Sequence, residues 1–260
     1  PTVTQTPTID PPLEAQRMKE RIQAANILIY EDIKAEPNLV PRIDKALLGL
    51  GLTGEYVINT SDLGGNFLYW LNSGVKWDLI IFSSEARSVQ PRTTLAEQLI
   101  PHIENNGALI VEAWDLNQII SGHKYSNILS LLDRCGIEIQ VDLGRPEPPY
   151  EPTKYYLYML APESPFLTTP NNITFPLHPT IYWTGDGGDL IRPRSYTEAR
   201  LLIGLYPDDI FRSGVVGTCY DGRVVVQTFS THDYHLLDTT KLYQNYIINT
   251  LTNHFRAIPE

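Results

Sequence analysis

An α/β fold with a doubly wound, mostly parallel sheet flanked by helices, and an antiparallel hairpin near the C-terminus, is what this sequence predicts. Three observations lead there. Apolar runs of four to six residues recur between Asn26 and Val141, with helix-forming stretches between them, and alternation of this kind builds parallel sheets. The runs are apolar at successive positions rather than at every second one, as expected of strands covered on both faces. Near the end, Val215–Tyr220 and Arg223–Phe229 flank Asp221-Gly222, a dipeptide that favours a tight hairpin turn.

The elements follow in order. Residues 1–12 (PTVTQTPTIDPP) carry too little apolar surface to fold and read as an extended, disordered Thr/Pro-rich linker. One domain then occupies 13–260. Leu13–Ala25 consists of good helix formers, and Asn26–Tyr30 (NILIY) is the first strand. Pro41 suits the first turn of a helix whose apolar face is Ile43, Ala46, Leu47 and Leu50, with Gly49 and Gly51 helping to end it. Glu55–Asn59 is the second strand, Asn66–Leu71 a short helix, and Asp78–Ser83 (DLIIFS) the third strand. Thr93–Glu104 is helical, with Leu95, Leu99 and Ile103 on one face; Ala108–Val111 (ALIV) is the fourth strand. Ser126–Leu132 lies in a helix that Gly136 ends, and Ile137–Val141 (IEIQV) is the fifth strand. Residues 144–200 break the alternation with many prolines and tyrosines. Such an insertion is either a functional or partner-facing segment or an edge cap on the sheet. Ala199–Leu205 restores order, and Thr239–His254 is the closing helix.

Composition narrows the function. A formal charge of −10 without a Lys/Arg cluster argues against nucleic acid as a partner. No apolar run is long enough for a membrane span. The chain opens on Pro1 rather than Met and is read as a processed or trimmed form. The Thr/Pro tether suggests a domain held off a cell envelope; otherwise the protein is cytoplasmic. Cys135 and Cys219 have no metal-ligand spacing. They are either buried free thiols or a disulfide, and sequence does not bring their Cα atoms within range.

The functional crevice of a doubly wound sheet lies beyond the carboxyl ends of its strands. The residues there are Glu31 and Asp32, Ser61 and Asp62, Ser84, Glu85 and Arg87, then Glu112, Trp114 and Asp115, and finally Ser230, Thr231, His232, Asp233 and His235. The candidate ligand-binding set is Glu31, Glu85, Arg87, Trp114, Asp115 and His232. His232 suits general-base work near neutral pH, with Asp233 or Glu85 beside it; it could equally cap the last strand. His232 and His235 are three residues apart, but two histidines alone make no metal site, and neither metal nor cofactor is expected. The stretch Trp183–Asp189 has the Asp and Gly content of a calcium loop without its order, and reads as a turn.

The succession DLIIFSSE, helix, GALIVEAWD, and a late GRVVVQTFSTHDYH before a terminal helix resembles class I glutamine-amidotransferase-like domains, which are flavodoxin-like in architecture. Within that group it is most similar to the trehalose-utilisation (ThuA-like) proteins. The resemblance spans about residues 25–255 through short motifs. It implies a nucleophilic cysteine on an elbow after the fourth strand, where this chain has Glu112-Ala113-Trp114-Asp115. The family's histidine matches His232, but Tyr234 stands where its carboxylate would follow, with Asp233 adjacent. Glutamine hydrolysis by that route needs a thiolate to form the acyl intermediate.

The leading expectation is therefore a non-catalytic amidotransferase-like domain that binds a small ligand or a partner chain around Glu85, Trp114 and His232. A second is a ThuA-like enzyme acting on a carbohydrate, with His232 as base, Glu85 or Asp115 as its partner and Trp114 as a stacking platform. A third is an interaction or assembly module that uses the 144–200 segment.

Overall fold

The computed structural model describes residues 11–32, 40–52, 54–84, 98–113, 126–142, 151–180 and 188–258. The first half runs α1 (Pro11–Gln23), β1 (Ile27–Glu31), α2 (Arg42–Leu50), β2 (Val57–Asn59), α3 (Gly64–Leu71), β3 (Leu79–Ser83), helical residues 98–104 (α4), β4 (Ala108–Glu112), α5 (Ser126–Cys135) and β5 (Ile137–Asp142). The second half runs β6 (Tyr158–Met159), α6 (Pro165–Thr168), β7 (Asp189–Pro193), β8 (Arg200–Gly204), β9 (Gly214–Cys219), β10 (Val224–Gln227) and α7 (Leu236–Ala257). α1 begins at Pro11, inside the stretch expected to be linker, because proline is at home in a first helical turn. Residues 1–10 lie outside the described residues.

One sheet contains all ten strands of the described residues. Its parallel half has the order β2-β1-β3-β4-β10, and an antiparallel half continues through β9 to β7 and β5, with β8 also on β9. β1, β3, β4 and β10 are buried along their whole length, which accounts for their unbroken apolar runs. Side chains alternate between the two faces. Ile27, Ile29, Ile81, Ile110 and Val225 pack with Ala46 and Leu47 of α2 and Tyr246 and Leu251 of α7. Leu28, Tyr30, Phe82, Val111 and Val226 pack with Phe67 of α3, Leu99 and Ile103 of α4, and Leu131 of α5. The result is three layers, helix–sheet–helix.

One placement differs from expectation. The fifth strand was expected to extend the parallel series, yet β5 pairs antiparallel with β7 at the far edge. Its sequence IEIQVD alternates apolar and polar residues and suits an edge, whereas the VVV run of β10 needs cover on both faces and takes the place beside β4. The hairpin turn falls where expected: Cys219 pairs with Val224, so the connection 220–223 is centred on Asp221-Gly222, and Gly222 N–H donates to the Cys219 carbonyl at 3.1 Å. Successive positive φ values at Tyr220 (52), Asp221 (53) and Gly222 (76) give the turn the twist of its strands.

Residues 151–180 fold back onto the body. Phe166, Leu167, Ile173 and Leu177 are buried with the α2/α7 layer. Asn171 N–H donates to Asn245 Oδ1 at 2.9 Å, and Asn245 Nδ2 returns a bond to the Asn171 carbonyl at 2.8 Å. Gly188 enters β7 at φ +70, and a Cβ there would sit 1.8 Å from the Thr228 carbonyl oxygen. Gly188→Ala is therefore expected to cost about 2–4 kcal/mol, from the left-handed backbone and the clash together. Urea unfolding measures this, and an unchanged midpoint would remove the close contact.

Cys135 and Cys219 end α5 and β9 and are joined as a disulfide, with Cα atoms 5.2 Å apart. Of the two readings of the cysteines, the free-thiol one is thereby set aside.

At the rim where β3 and β4 begin, His254 of α7 bridges the Asn106 carbonyl (2.7 Å) and Asp78 Oδ1 (3.1 Å). His102 of α4 lies against Gly107 with its Nε2 2.9 Å from the Ala108 carbonyl. Burial, with smaller contributions from His254 and Arg223, pushes the His102 imidazole down to about 4, against the pull of that carbonyl and of Asp78. Its folded pKa lies below its ordinary 6.5. Between those values the unfolded chain takes up a proton that the folded one refuses, so stability falls as pH falls through that window. From pH 7 to 5 the wild type is expected to lose about 1–2 kcal/mol more than His102→Gln. Equal losses in urea titrations at the two pH values would contradict this.

Candidate functional site

The last residues of four neighbouring strands stand in register: Glu31 beside Ser83, Ser83 beside Glu112, and Glu112 beside Gln227. All four are buried. Being in register, they share one face of the sheet, the face that α2 and α7 cover. A polar row thus crosses the carboxyl end of the parallel half.

Glu112 is its centre. The carboxylate accepts the Thr231 N–H and the Thr231 hydroxyl, each at 2.7 Å, the Ser83 hydroxyl at 3.4 Å, and the hydroxyl of Tyr243 on α7. Gln227 Nε2 donates to Thr231 Oγ1 at 2.8 Å, and Tyr246 OH donates to Gln227 Oε1 at 3.1 Å. A carboxylate this deep is tolerated only with donors of this number and quality.

Glu31 serves α2. Its Oε1 accepts the first helical amides, Arg42 N–H (2.8 Å) and Ile43 N–H (3.2 Å), at a terminus where Pro41 offers no side-chain cap. Asn59 Nδ2 donates to Glu31 Oε2 at 3.2 Å. Burial raises the Glu31 pKa, and the Ile43, Arg42 and Asn59 hydrogen bonds hold part of that rise back. The buried Arg42 guanidinium reaches across to the turn after β10, donating to Thr239 Oγ1 (2.5 Å) and to the Tyr234 and His232 carbonyls (both 3.3 Å).

His232 lies in the 3-10 turn Thr231–Asp233, with Nε2 3.0 Å from the Val40 carbonyl. Facing a carbonyl, Nε2 carries the hydrogen, which leaves Nδ1 as the acceptor nitrogen. Burial and then the Arg42 charge lower its pKa, against Glu112, the Val40 carbonyl and Glu31. The imidazole is neutral at pH 7 and ties the β10 turn to the approach of α2.

Of the expected site residues, Glu31, His232 and Asp233 are described, and the structure brings Glu31 and His232 together around Arg42. The Asp233 carbonyl accepts Thr180 N–H at 2.7 Å, fastening the 151–180 segment to the same turn. Glu85, Arg87, Trp114 and Asp115 lie outside the described residues, as does most of the Trp183–Asp189 stretch. His235 stands at the N-cap position of α7 rather than on a shared helical turn with His232. Among the described residues no group of three or more His, Cys, Asp and Glu side chains could hold a metal ion, and no helix is long and apolar enough to cross a membrane. The disulfide is remote from this site: Cys219 pairs with Val224, which pairs with Leu109 near the start of β4, whereas His232 follows the other end of β10.

Sequence reasoning passed over Arg42, Tyr243, Tyr246 and Gln227. A signal existed: the runs ILIYE, LIIFS, ALIVE and VVVQ each close on a polar residue. Strand parity turns those residues toward α7 rather than into the crevice.

No protein-family model matches the chain, and no curated protein matches it. Among solved structures, a ThuA-like protein from Bacteroides uniformis superposes with a TM-score of 0.49 at 15% identity, over 90% of each chain. A GMP synthase subunit from Thermoplasma acidophilum gives 0.49 at 10% identity, over 90% of this chain and 97% of that one.

Proposed function

We propose that this chain is a non-hydrolytic, amidotransferase-like binding domain that takes a small polar ligand at the carboxyl edge of its parallel strands. The observation that carries this is the end of β4, where the amidotransferase route would place a thiol. The stretch there reads Glu112-Ala113-Trp114-Asp115 without a thiol, and its first residue, Glu112, is saturated by Thr231, Tyr243 and Ser83. Both cysteines are bonded to each other at the opposite end of the sheet. The groups that would make a catalytic set thus hold the turn after β10 against α2 and α7, and stiffen the floor beneath the loops that follow the strands. A disulfide also favours an oxidising, extracytoplasmic setting. The packing of residues 151–180 onto α7 supports a binding domain over an assembly module built on that segment.

The test is a turnover screen on glutamine, aryl esters and aryl glycosides, run beside saturation-transfer NMR with mono- and disaccharides. Binding without turnover is expected. Robust hydrolysis that disappears in His232→Ala would overturn the proposal in favour of a carbohydrate-active enzyme with His232 as its base.

A further inference from the structure

Around the end of β7 an open cleft of about 640 Å³ lies between the turn that leads into β8 and the loop that joins β8 to β9. Its walls carry three guanidiniums, Arg192, Arg194 and Arg212, two aromatic rings, Tyr196 and Phe211, and, among the described residues, one carboxylate, Glu138. No long run of basic residues announces this in the sequence, because it is the fold that brings Arg212 to Arg192 and Arg194. On a chain of formal charge −10 this is a cationic spot, and none of these residues belongs to the networks around Glu112 and Arg42.

The charges are available to a partner. Arg212 is exposed, and its side chain makes no hydrogen bond or ion pair among the described residues. Arg192 spends Nε on Glu138 (2.5 Å), while Arg194 spends Nη2 on Asp133 and turns Nε to Glu138 (3.8 Å). Both arginine side chains are nearly half exposed, and ion pairs so placed are weak. A guanidinium has five N–H donors, so each keeps some for another molecule. Asp208 and Asp209, further along the loop, do not line the cleft.

The rings are costly to leave facing water alone. Tyr196 is fully exposed and sits at φ 66, a left-handed conformation that strains a bulky side chain. The turn is braced beneath it: Arg194 N–H donates to the Gly136 carbonyl at 2.8 Å, and the Thr197 hydroxyl donates to the Arg194 carbonyl at 2.9 Å. The ring is thus held outward before any partner arrives, which lowers the ordering cost of contact. Phe211 is 68% exposed, and Tyr206 and Ile210 of the same loop are 58% and 48% exposed. Aromatic rings and arginines gathered in one patch are the composition of interface centres.

We infer that this cleft docks an acidic segment of a partner protein, whose carboxylates meet Arg192, Arg194 and Arg212 and whose apolar side chains lie against Tyr196 and Phe211. Charge complementarity sets the sign of the partner. A second copy paired about a two-fold axis would press the arginines against their own copies. An anionic glycan would meet the arginines and leave Ile210 and Phe211 without apolar cover.

The probe is a fluorescently labelled random copolymer of glutamate and tyrosine, titrated by polarisation into the intact chain, with unlabelled polyglutamate and heparin as competitors. The copolymer is expected to bind at least about fivefold more tightly than polyglutamate, which has the charge without the rings, and to weaken as salt is added. Arg212→Glu and Phe211→Ser are each expected to weaken it at least about tenfold, with melting unmoved because both side chains are exposed. Tyr196→Gly relieves the left-handed backbone and removes the ring. It is expected to weaken the copolymer without lowering the melting temperature, a split that a purely structural tyrosine would not show. A copolymer that fails to bind, that binds no better than polyglutamate, or whose affinity is untouched by Arg212→Glu would overturn the inference. Heparin binding more tightly than the copolymer, and weakened by Arg212→Glu, would overturn it in favour of an anionic glycan. Self-association in sedimentation that Arg212→Glu abolishes would overturn it in favour of a second copy of this chain.

Discussion

Replacing Cys135 and Cys219 together by serine is expected to lower the unfolding free energy by about 4–5 kcal/mol. The bond closes a loop with a sequence separation of 84 residues, and the chain-entropy model assigns a loss of that order to a cross-link of this span. For a domain of this size that corresponds to a drop of about 10–15 °C in Tm. The bond also ties α5 and β9, two elements otherwise joined through side-chain packing in the layer that holds Leu131 and Val226. Urea unfolding of the oxidised protein, the reduced protein and the double variant makes the measurement. The last two should agree, and a change below about 1 kcal/mol would mean that the unfolded chain is little constrained by the link.

Glu112→Ala is expected to cost about 3–5 kcal/mol, since it strands the Thr231 N–H, the Thr231 hydroxyl and the Tyr243 hydroxyl in a dry interior. Glu112→Gln keeps the volume and an acceptor oxygen and should cost less. Tyr243→Phe removes one donor, and combining it with Glu112→Ala should cost less than the sum, because the two changes delete the same hydrogen bond. Additive losses in chemical denaturation would dissolve the network into separate contacts.

Much of this architecture was legible because hydrophobic runs report burial directly. ILIY, LIIF, ALIV and VVV are covered on both faces, as strands at the centre of a sheet between two helix layers are. Partner choice was passed over although a signal existed: IEIQVD alternates apolar and polar residues as an edge strand does, whereas the VVV run of β10 needs cover on both faces. The hairpin turn was legible too: Asp221-Gly222 sits at the centre of the connection between Cys219 and Val224, where successive positive φ values are needed. At the site, residue type was readable and direction was not. Glu31 reads as a crevice carboxylate from its position after ILIY, yet α2 begins with Pro41, which cannot cap its own helix, and the nearest acceptor is recruited from β1. Arg42 carried no sequence signal, since its partners lie some 190 residues downstream.

The strand order has a temporal consequence. β10 follows every other described strand along the chain, yet it lies in the middle, between β4 and β9. Until it emerges from the ribosome, β4 carries a bare edge of amides and carbonyls, the kind of surface that recruits strands from other chains. Everything before it waits as two half-sheets without a seam. A nascent chain stalled before Val224 is therefore expected to need chaperones, and emergence of β10 and α7 lets both halves close at once.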